Sequence, residues 1–272
     1  MNYLKDYREG EKFVGTYLCK QKQILKTKAG KTYYSLTLQD KTGTADGKIW
    51  ELNNGIANFE PMDYIHCEGM VTSFQGNLQM NISRVRISDE GEYDPTDYVP
   101  CTNKDVGEMF SRILKYVASV QNKYLRKILE MYFVENKEFV DAFKKHSAAK
   151  SVHHGFMGGL LEHTLSVTDM CQYFAEHYPM IHRDLLITAA LFHDMGKIQE
   201  ISDFPMNDYT DDGQLLGHIY IGARCMENAA AQIPNFPPKL KNELVHCASR
   251  QDGIWFAESA GDYGGNGVTY GG

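Results

Sequence analysis

No Cys-x-x-Cys pair occurs in this chain; its six cysteines, Cys19, Cys67, Cys101, Cys171, Cys225 and Cys247, are scattered. That spacing excludes a zinc ribbon and offers no disulfide framework, so reduced and mostly buried thiols are expected. An apolar run long enough to cross a bilayer is also missing. The longest, Leu185 to Phe192, falls far short of the roughly 20 residues a transmembrane helix needs. Together with the charged opening MNYLKDYREGEKF, this leads to the expectation of a cytoplasmic protein with no membrane partner. Positive charge is not in excess: 35 acidic residues outnumber 28 basic ones, leaving a net charge of -7. Such a balance argues against a nonspecific polyanion coat, although a local basic stripe can still bind nucleic acid. Repeats and low-complexity arrays are absent before residue 248.

What is present fits a globular chain of 272 residues with 43% hydrophobic content, long enough for two cored domains. Between Lys12 and Ile87 the segments FVGTYL, TYYSLTLQD, GTADGKIWEL, DYIHCEGMVTSF and NLQMNISRVRI alternate apolar and polar residues, the period of half-buried strands. Five short strands in one small unit predict a closed barrel. The order of strand, basic loop, YYSLTLQDKTGTADGKIW, strand and GMVTSFQGNLQMNI resembles a nucleic-acid-binding OB-fold, with Gly43 and Gly47 turning the chain between the second and third strands. The stretch DEGEYDPTDYVPCTN lacks periodicity and predicts a linker, placing a boundary near residue 95. Beyond Asp105, apolar residues recur at helical spacing through Met109, Ile113, Leu114, Tyr116 and Val117, then Leu125, Ile128, Leu129 and Tyr132. Further helices are expected over 160–174, 183–192, 217–232 and 239–247. The expected fold class is therefore α+β multidomain: a barrel over 1–95, an all-helical domain over 96–247, and an aberrant glycine-rich tail over 248–272.

Four residues of the helical half are competent to hold a metal: His163 in GGLLEHTLSV, the adjacent His193 and Asp194 in LFHDMGK, and His218 in LLGHIYIG. An adjacent His-Asp pair at a helix end can aim both groups at one cation, or let the carboxylate bridge two. A divalent ion held this way generates hydroxide near neutral pH and neutralises phosphoryl charge, which is the chemistry of phosphodiester hydrolysis. Taken singly, His163 or His218 fits a packed or capping histidine better than a ligand. The pair is different, because an Asp that follows Ala-Leu-Phe is costly in a core unless a charge compensates it.

In the barrel half, Lys20, Lys22, Lys26, Lys28 and Lys31 lie near Tyr33, Tyr34, Trp50 and Phe74. Lysines give salt-dependent affinity for a phosphate backbone, and aromatic faces stack on any base. The plainer alternative is a solvated lysine loop beside strand aromatics of which every second one is core.

The segments HHGFMGGLLEHTLSV, DLLITAALFHDMGK and YTDDGQLLGHIYIGA, spread over most of residues 145–247, resemble in order and spacing the YhaM exoribonucleases, which join an OB-fold to an HD phosphohydrolase domain. The resemblance implies a metal-dependent 3′-to-5′ exoribonuclease acting on single-stranded RNA or DNA, with manganese as the usual metal. It implies metal-ligand roles for His163, His193, Asp194 and His218, and makes His193 and Asp194 catalytic together with Lys197, which would contact the substrate phosphate. His153 and His154 also match a family pair, though a polar cluster at a helix start explains them equally well. An HD-type nucleotide or cyclic-dinucleotide phosphohydrolase would use the same ligands, and an inactive single-strand-binding module would need no metal at all.

After Cys247 the chain departs from this pattern. The family continues with a His-His-Gly element, then Gly-Ser-Pro-Lys and a closing helix, whereas here ASRQDGIWFAESAGDYGGNGVTYGG follows. Back-translated and read from the second codon base, this tail permits His-His-Gly-Lys, then Gly-Ser-Pro-Lys, then a helical stretch in family order. A frameshift near Cys247 is therefore expected, with a disordered tail, weak or absent turnover, and an unfinished helical core that promotes association into a homo-oligomer.

Overall fold

A computed structural model describes residues 2–150 and 154–249. The expectations for His153 and for the tail from residue 250 lie outside these residues. The chain divides into two compact units between Pro100 and Cys101.

The first unit contains five strands: β1 (Lys12–Lys26), β2 (Thr32–Asp40), β3 (Gly43–Ile49), β4 (Tyr64–Phe74) and β5 (Asn77–Ile87). They close into a barrel in the order β1-β2-β3-β5-β4, with β3 and β5 parallel and the other pairs antiparallel. This is an OB-fold. Alternation sets the register, since Leu36 and Leu38 of β2 turn inward to join Phe13, Tyr17, Ile49, Ile65, Val71 and Met80 in the core. β1 is longer than the sequence suggests. Its first half pairs with β4 and its second with β2, the change being absorbed by an irregularity between Cys19 and Gln21. The expected basic loop is thus mostly strand, and of its lysines only Lys28 and Lys31 fall between the end of β1 and Thr32.

The structure departs from two further expectations. Gly43, at a φ of +146°, opens β3 after the turn from β2, but Gly47 lies inside β3. A Cβ there would come within 3.3 Å of Leu36 and Leu38, so Gly47 is needed for close packing against the barrel interior and turns nothing. The Pro- and acid-rich stretch is also not a free linker. Tyr93 stacks on Tyr64 at 4.1 Å, Tyr98 meets Tyr64 edge-on at 5.3 Å, and Asp97 receives the Lys41 ammonium at 2.6 Å. These contacts tie residues 93–98 to the barrel, moving the division past residue 95.

The second unit is helical: α1 (Val106–Ser119), α2 (Lys123–Glu130) running into a π-helical turn, α3 (Lys137–Lys145), α4 (Gly159–His177), α5 (Arg183–Phe192), α6 (Lys197–Glu200), α7 (Asp211–Gln232) and α8 (Pro238–Ser249). α5 is the apolar run noted in the sequence. All eight residues from Leu185 to Phe192 are buried, with α1, α2, α4 and α8 packed against the helix. α7 starts six residues before the expected position, with the Thr210 side chain capping Gly213 N, and breaks helical geometry at Gly217, where φ is 73° and ψ is 155°. Only a residue without a Cβ adopts that combination readily. α8 runs through Ser249, two residues beyond its expected end.

Candidate functional site

The core helix α5 ends at Phe192, and the next two residues are His193 and Asp194. Buried packing along the whole of α5 therefore fixes where this pair sits, and the carbonyl end of the helix dipole favours a cation there. His163 arrives from the first turns of α4, and His218 from α7 immediately after its break at Gly217. Gly196 permits that approach: a Cβ on it would lie 2.1 Å from the His218 carbonyl oxygen and 2.9 Å from Gly222 N.

Asp194 is the hub, with 2% of its side chain exposed. Its Oδ2 lies 3.2 Å from His163 Nε2, 3.3 Å from His193 Nε2 and 2.7 Å from Lys197 Nζ. Its buried Oδ1 has no hydrogen-bond partner among the described residues, and His218 Nε2 stands 3.6 Å from it. Burial on its own would push this carboxyl up, but His163, His193 and the Lys197 charge outweigh burial and hold it far below the usual carboxylate range.

The ring nitrogens can be assigned from their partners. His193 Nδ1 lies 2.8 Å from the Ala190 carbonyl oxygen, which can only accept, so Nδ1 carries a proton and Nε2 is the nitrogen that faces Asp194. His218 Nδ1 lies 2.9 Å from Glu200 Oε1 and by the same reasoning carries a proton, leaving Nε2 to face Asp194. In the neutral rings both Nε2 atoms carry lone pairs, which a positive charge beside the carboxylate would accept. Lys197 supplies one such charge, and a divalent ion fits the same donor set. His163, His193 and Asp194 each offer a ligand atom within 4.8 Å of the others, the one group of this kind among the described residues. His218 lies outside that group and reaches only the second oxygen of Asp194. His154 stands beside the site, its ring 5.4 Å from that of His163 and its Nε2 3.9 Å from Glu162.

Glu200 escaped the reading of the sequence. It closes α6, is 8% exposed, and accepts from both the backbone N and Nδ1 of His218 at 3.0 and 2.9 Å. An acid at the end of Lys-Ile-Gln-Glu gives no sign that it will meet a histidine 18 residues later.

In the barrel the nominated residues do not share one surface. Tyr33 and Trp50 stack at 4.6 Å. The strand register places them with Lys48, Met70, Phe74 and Asn81 on the outer face of β2, β3, β5 and β4, where Trp50, Met70 and Phe74 are exposed. Tyr34 has the opposite parity and packs edge-on against Phe59. Lys22 shares that side: its ammonium lies 4.4 Å from the Phe59 ring and 4.9 Å from the Tyr34 ring and donates to the Phe59 carbonyl oxygen. Lys31 pairs with Glu51 at 3.3 Å, while Lys20, Lys26 and Lys28 are exposed.

Residues 160–233, which carry His163, the His193–Asp194 pair and His218, match the HD domain model. HD domains depend on divalent metal. A 3′-5′ exoribonuclease YhaM of Listeria innocua is 31% identical over 227 residues, covering 80% of this chain and 69% of the relative. The chain belongs to the YhaM exoribonuclease family. The YhaM proteins of a Geobacillus species and of Bacillus subtilis are 30% and 28% identical over 75% of this chain and over 63% and 65% of their own lengths. This YhaM-family chain thus spans about two thirds of the length of the relatives it matches. Its barrel unit also matches the second OB-fold domain of replication protein A from Methanococcus maripaludis, at 20% identity and a TM-score of 0.27, covering 34% of this chain and 98% of that one. Among the described residues no helix is long and apolar enough to cross a membrane.

Proposed function

We propose that this chain is a metal-dependent 3′-to-5′ exoribonuclease of single-stranded RNA, with the barrel as its strand-binding unit and the helical unit as its hydrolase. The observation that carries the reading is the convergence of His193 Nε2, His163 Nε2 and His218 Nε2 on the two oxygens of a buried Asp194. His163, His193 and Asp194 would hold a divalent cation, manganese for preference, and His218, whose Nε2 faces the second Asp194 oxygen, would complete the ligand set. When bound, such an ion lowers the pKa of water and neutralises phosphoryl charge. Asp194 and the two imidazoles held through Nδ1 supply a pre-oriented donor set, which reduces the reorganisation that the reaction requires. Lys197, three residues from Asp194, is the cation nearest to a phosphate entering the site.

On the barrel, the Tyr33–Trp50 stack with Phe74 gives base-tolerant stacking, and Lys20, Lys26 and Lys28 give backbone attraction. That combination suits an enzyme that must pass any sequence. It also favours a polymeric substrate over a free nucleotide, which needs no strand-binding unit.

The test is degradation of a 5′-labelled single-stranded RNA in manganese, beside His193→Ala and Asp194→Ala. Stepwise shortening from the 3′ end, lost in both variants, is expected. Slow shortening is in keeping with the absence after Cys247 of the family's His-His-Gly and Gly-Ser-Pro-Lys elements. Internal cuts, or hydrolysis of mononucleotides with the RNA left intact, would refute the proposal.

A further inference from the structure

We infer that Glu200 is a positioning residue for the metal centre, acting through His218 by fixing its ring tautomer and its backbone together. The inference rests on the proposed role of His218 as a ligand, and goes beyond it by assigning what makes His218 competent.

His218 follows a break in α7, so no continuous helix holds it in place. Glu200 substitutes for that restraint. One oxygen, Oε1, receives the His218 backbone N–H at 3.0 Å and Nδ1–H at 2.9 Å. Because a carboxylate only accepts, the second contact selects the tautomer with its lone pair on Nε2, the nitrogen facing Asp194. A freely rotating or Nε2-protonated ring would turn a hydrogen toward the centre and offer no donor. Glu200 is itself held: its carbonyl oxygen accepts from Thr210 N at 2.9 Å, and Gly213 packs so close that a Cβ there would lie 2.1 Å from that oxygen. Glu200 thus meets the capping residue of α7 through its carbonyl oxygen and His218, just past the break, through its carboxylate. This is the carboxylate–histidine arrangement that raises ligand basicity in metal sites, where removing the carboxylate costs on the order of 10–100-fold in metal affinity.

The experiment titrates manganese into the metal-stripped full chain by calorimetry and reads the His218 ring tautomer by nitrogen-15 NMR, for wild type, Glu200→Ala, Glu200→Gln and His218→Ala. Glutamine retains an acceptor oxygen for both contacts; alanine retains none. We expect Glu200→Ala to lose about 10–100-fold in manganese affinity together with the Nδ1–H tautomer, and Glu200→Gln to keep the tautomer and stay within a few-fold of wild type. Manganese affinity within twofold of wild type in Glu200→Ala, or an unchanged tautomer there, would overturn the inference. Should Glu200→Ala not fold, Glu200→Gln decides alone: affinity as low as that of His218→Ala overturns it, and retained affinity with the Nδ1–H tautomer supports it. Wild-type affinity in His218→Ala would overturn the underlying ligand assignment instead, so the two failures are separable.

Discussion

Replacing Lys197 with methionine should make the metal-free protein less stable and its metal binding tighter. The ammonium lies 2.7 Å from an Asp194 oxygen that is almost wholly buried, with 17% of the lysine side chain exposed. At an effective dielectric of about 20 the attraction at that distance is about 6 kcal/mol. Much of it is offset by desolvating the lysine, and His163 and His193 remain beside the carboxylate in the variant, so the net loss should be about 2 kcal/mol. For a domain of this size that corresponds to a fall of about 4–8 °C in Tm without metal. With manganese saturating, the divalent ion takes over the compensating role and the two proteins should melt together. If the holo forms are equal and the apo form is weaker by about 2 kcal/mol, manganese must bind the variant about 30-fold more tightly. Differential scanning calorimetry with and without manganese, paired with titration calorimetry, measures both sides of this cycle. An equal manganese-induced shift in the two proteins would show that Lys197 does not compete for the site, and a smaller shift in the variant would show that it assists binding.

On the barrel, Trp50→Ala should weaken binding of a single-stranded oligonucleotide by about 1–3 kcal/mol, the usual worth of one stacked base, as read by fluorescence anisotropy; unchanged affinity would remove the outer face from consideration. Lys22→Ala should leave the salt dependence of that binding unaltered, because its ammonium is spent on Phe59 and Tyr34, whereas combined removal of Lys20, Lys26 and Lys28 should flatten it. Gly196→Ala should destabilise the helical unit by about 3 kcal/mol in chemical denaturation, since backbone atoms stand where its Cβ must go; a neutral result would mean that α7 can retreat freely. The Asp97 carboxyl is held below its ordinary range by the Lys41 ammonium at 2.6 Å and the Tyr3 hydroxyl at 2.9 Å. A value lowered in the folded state contributes stability that is complete at neutral pH and lost as pH falls through the acid range, so Asp97→Asn should flatten the acid limb of barrel stability measured by urea unfolding.

What could be foreseen from the sequence separates from what could not according to how far apart, along the chain, the interacting residues lie. TYYSLTLQD alternates cleanly, and the strand it predicts is β2 residue for residue; Leu185 to Phe192 is uniformly apolar, and α5 runs from Arg183 to Phe192 as expected. His193 and Asp194 stood out because an ionisable pair directly after such a run contradicts the local pattern, and that contradiction is itself a local signal. Nearness in the chain groups Lys22 and Tyr34 with Tyr33, yet one step of strand register sends them to the opposite side. KQKQILK has too few apolar residues to announce a strand. It becomes one because β2 presents a complementary edge, a tertiary override of a weak local preference. Glu200 is the extreme case: its meaning depends on the capped turn at Thr210, the break at Gly217 and the absence of a side chain at Gly196, three separate features that together carry a histidine back over 18 residues. Candidate ligands can thus be nominated from motifs, since each motif travels on one helix. The groups that orient those ligands arrive from other segments, and only the assembled backbone brings them within hydrogen-bonding distance.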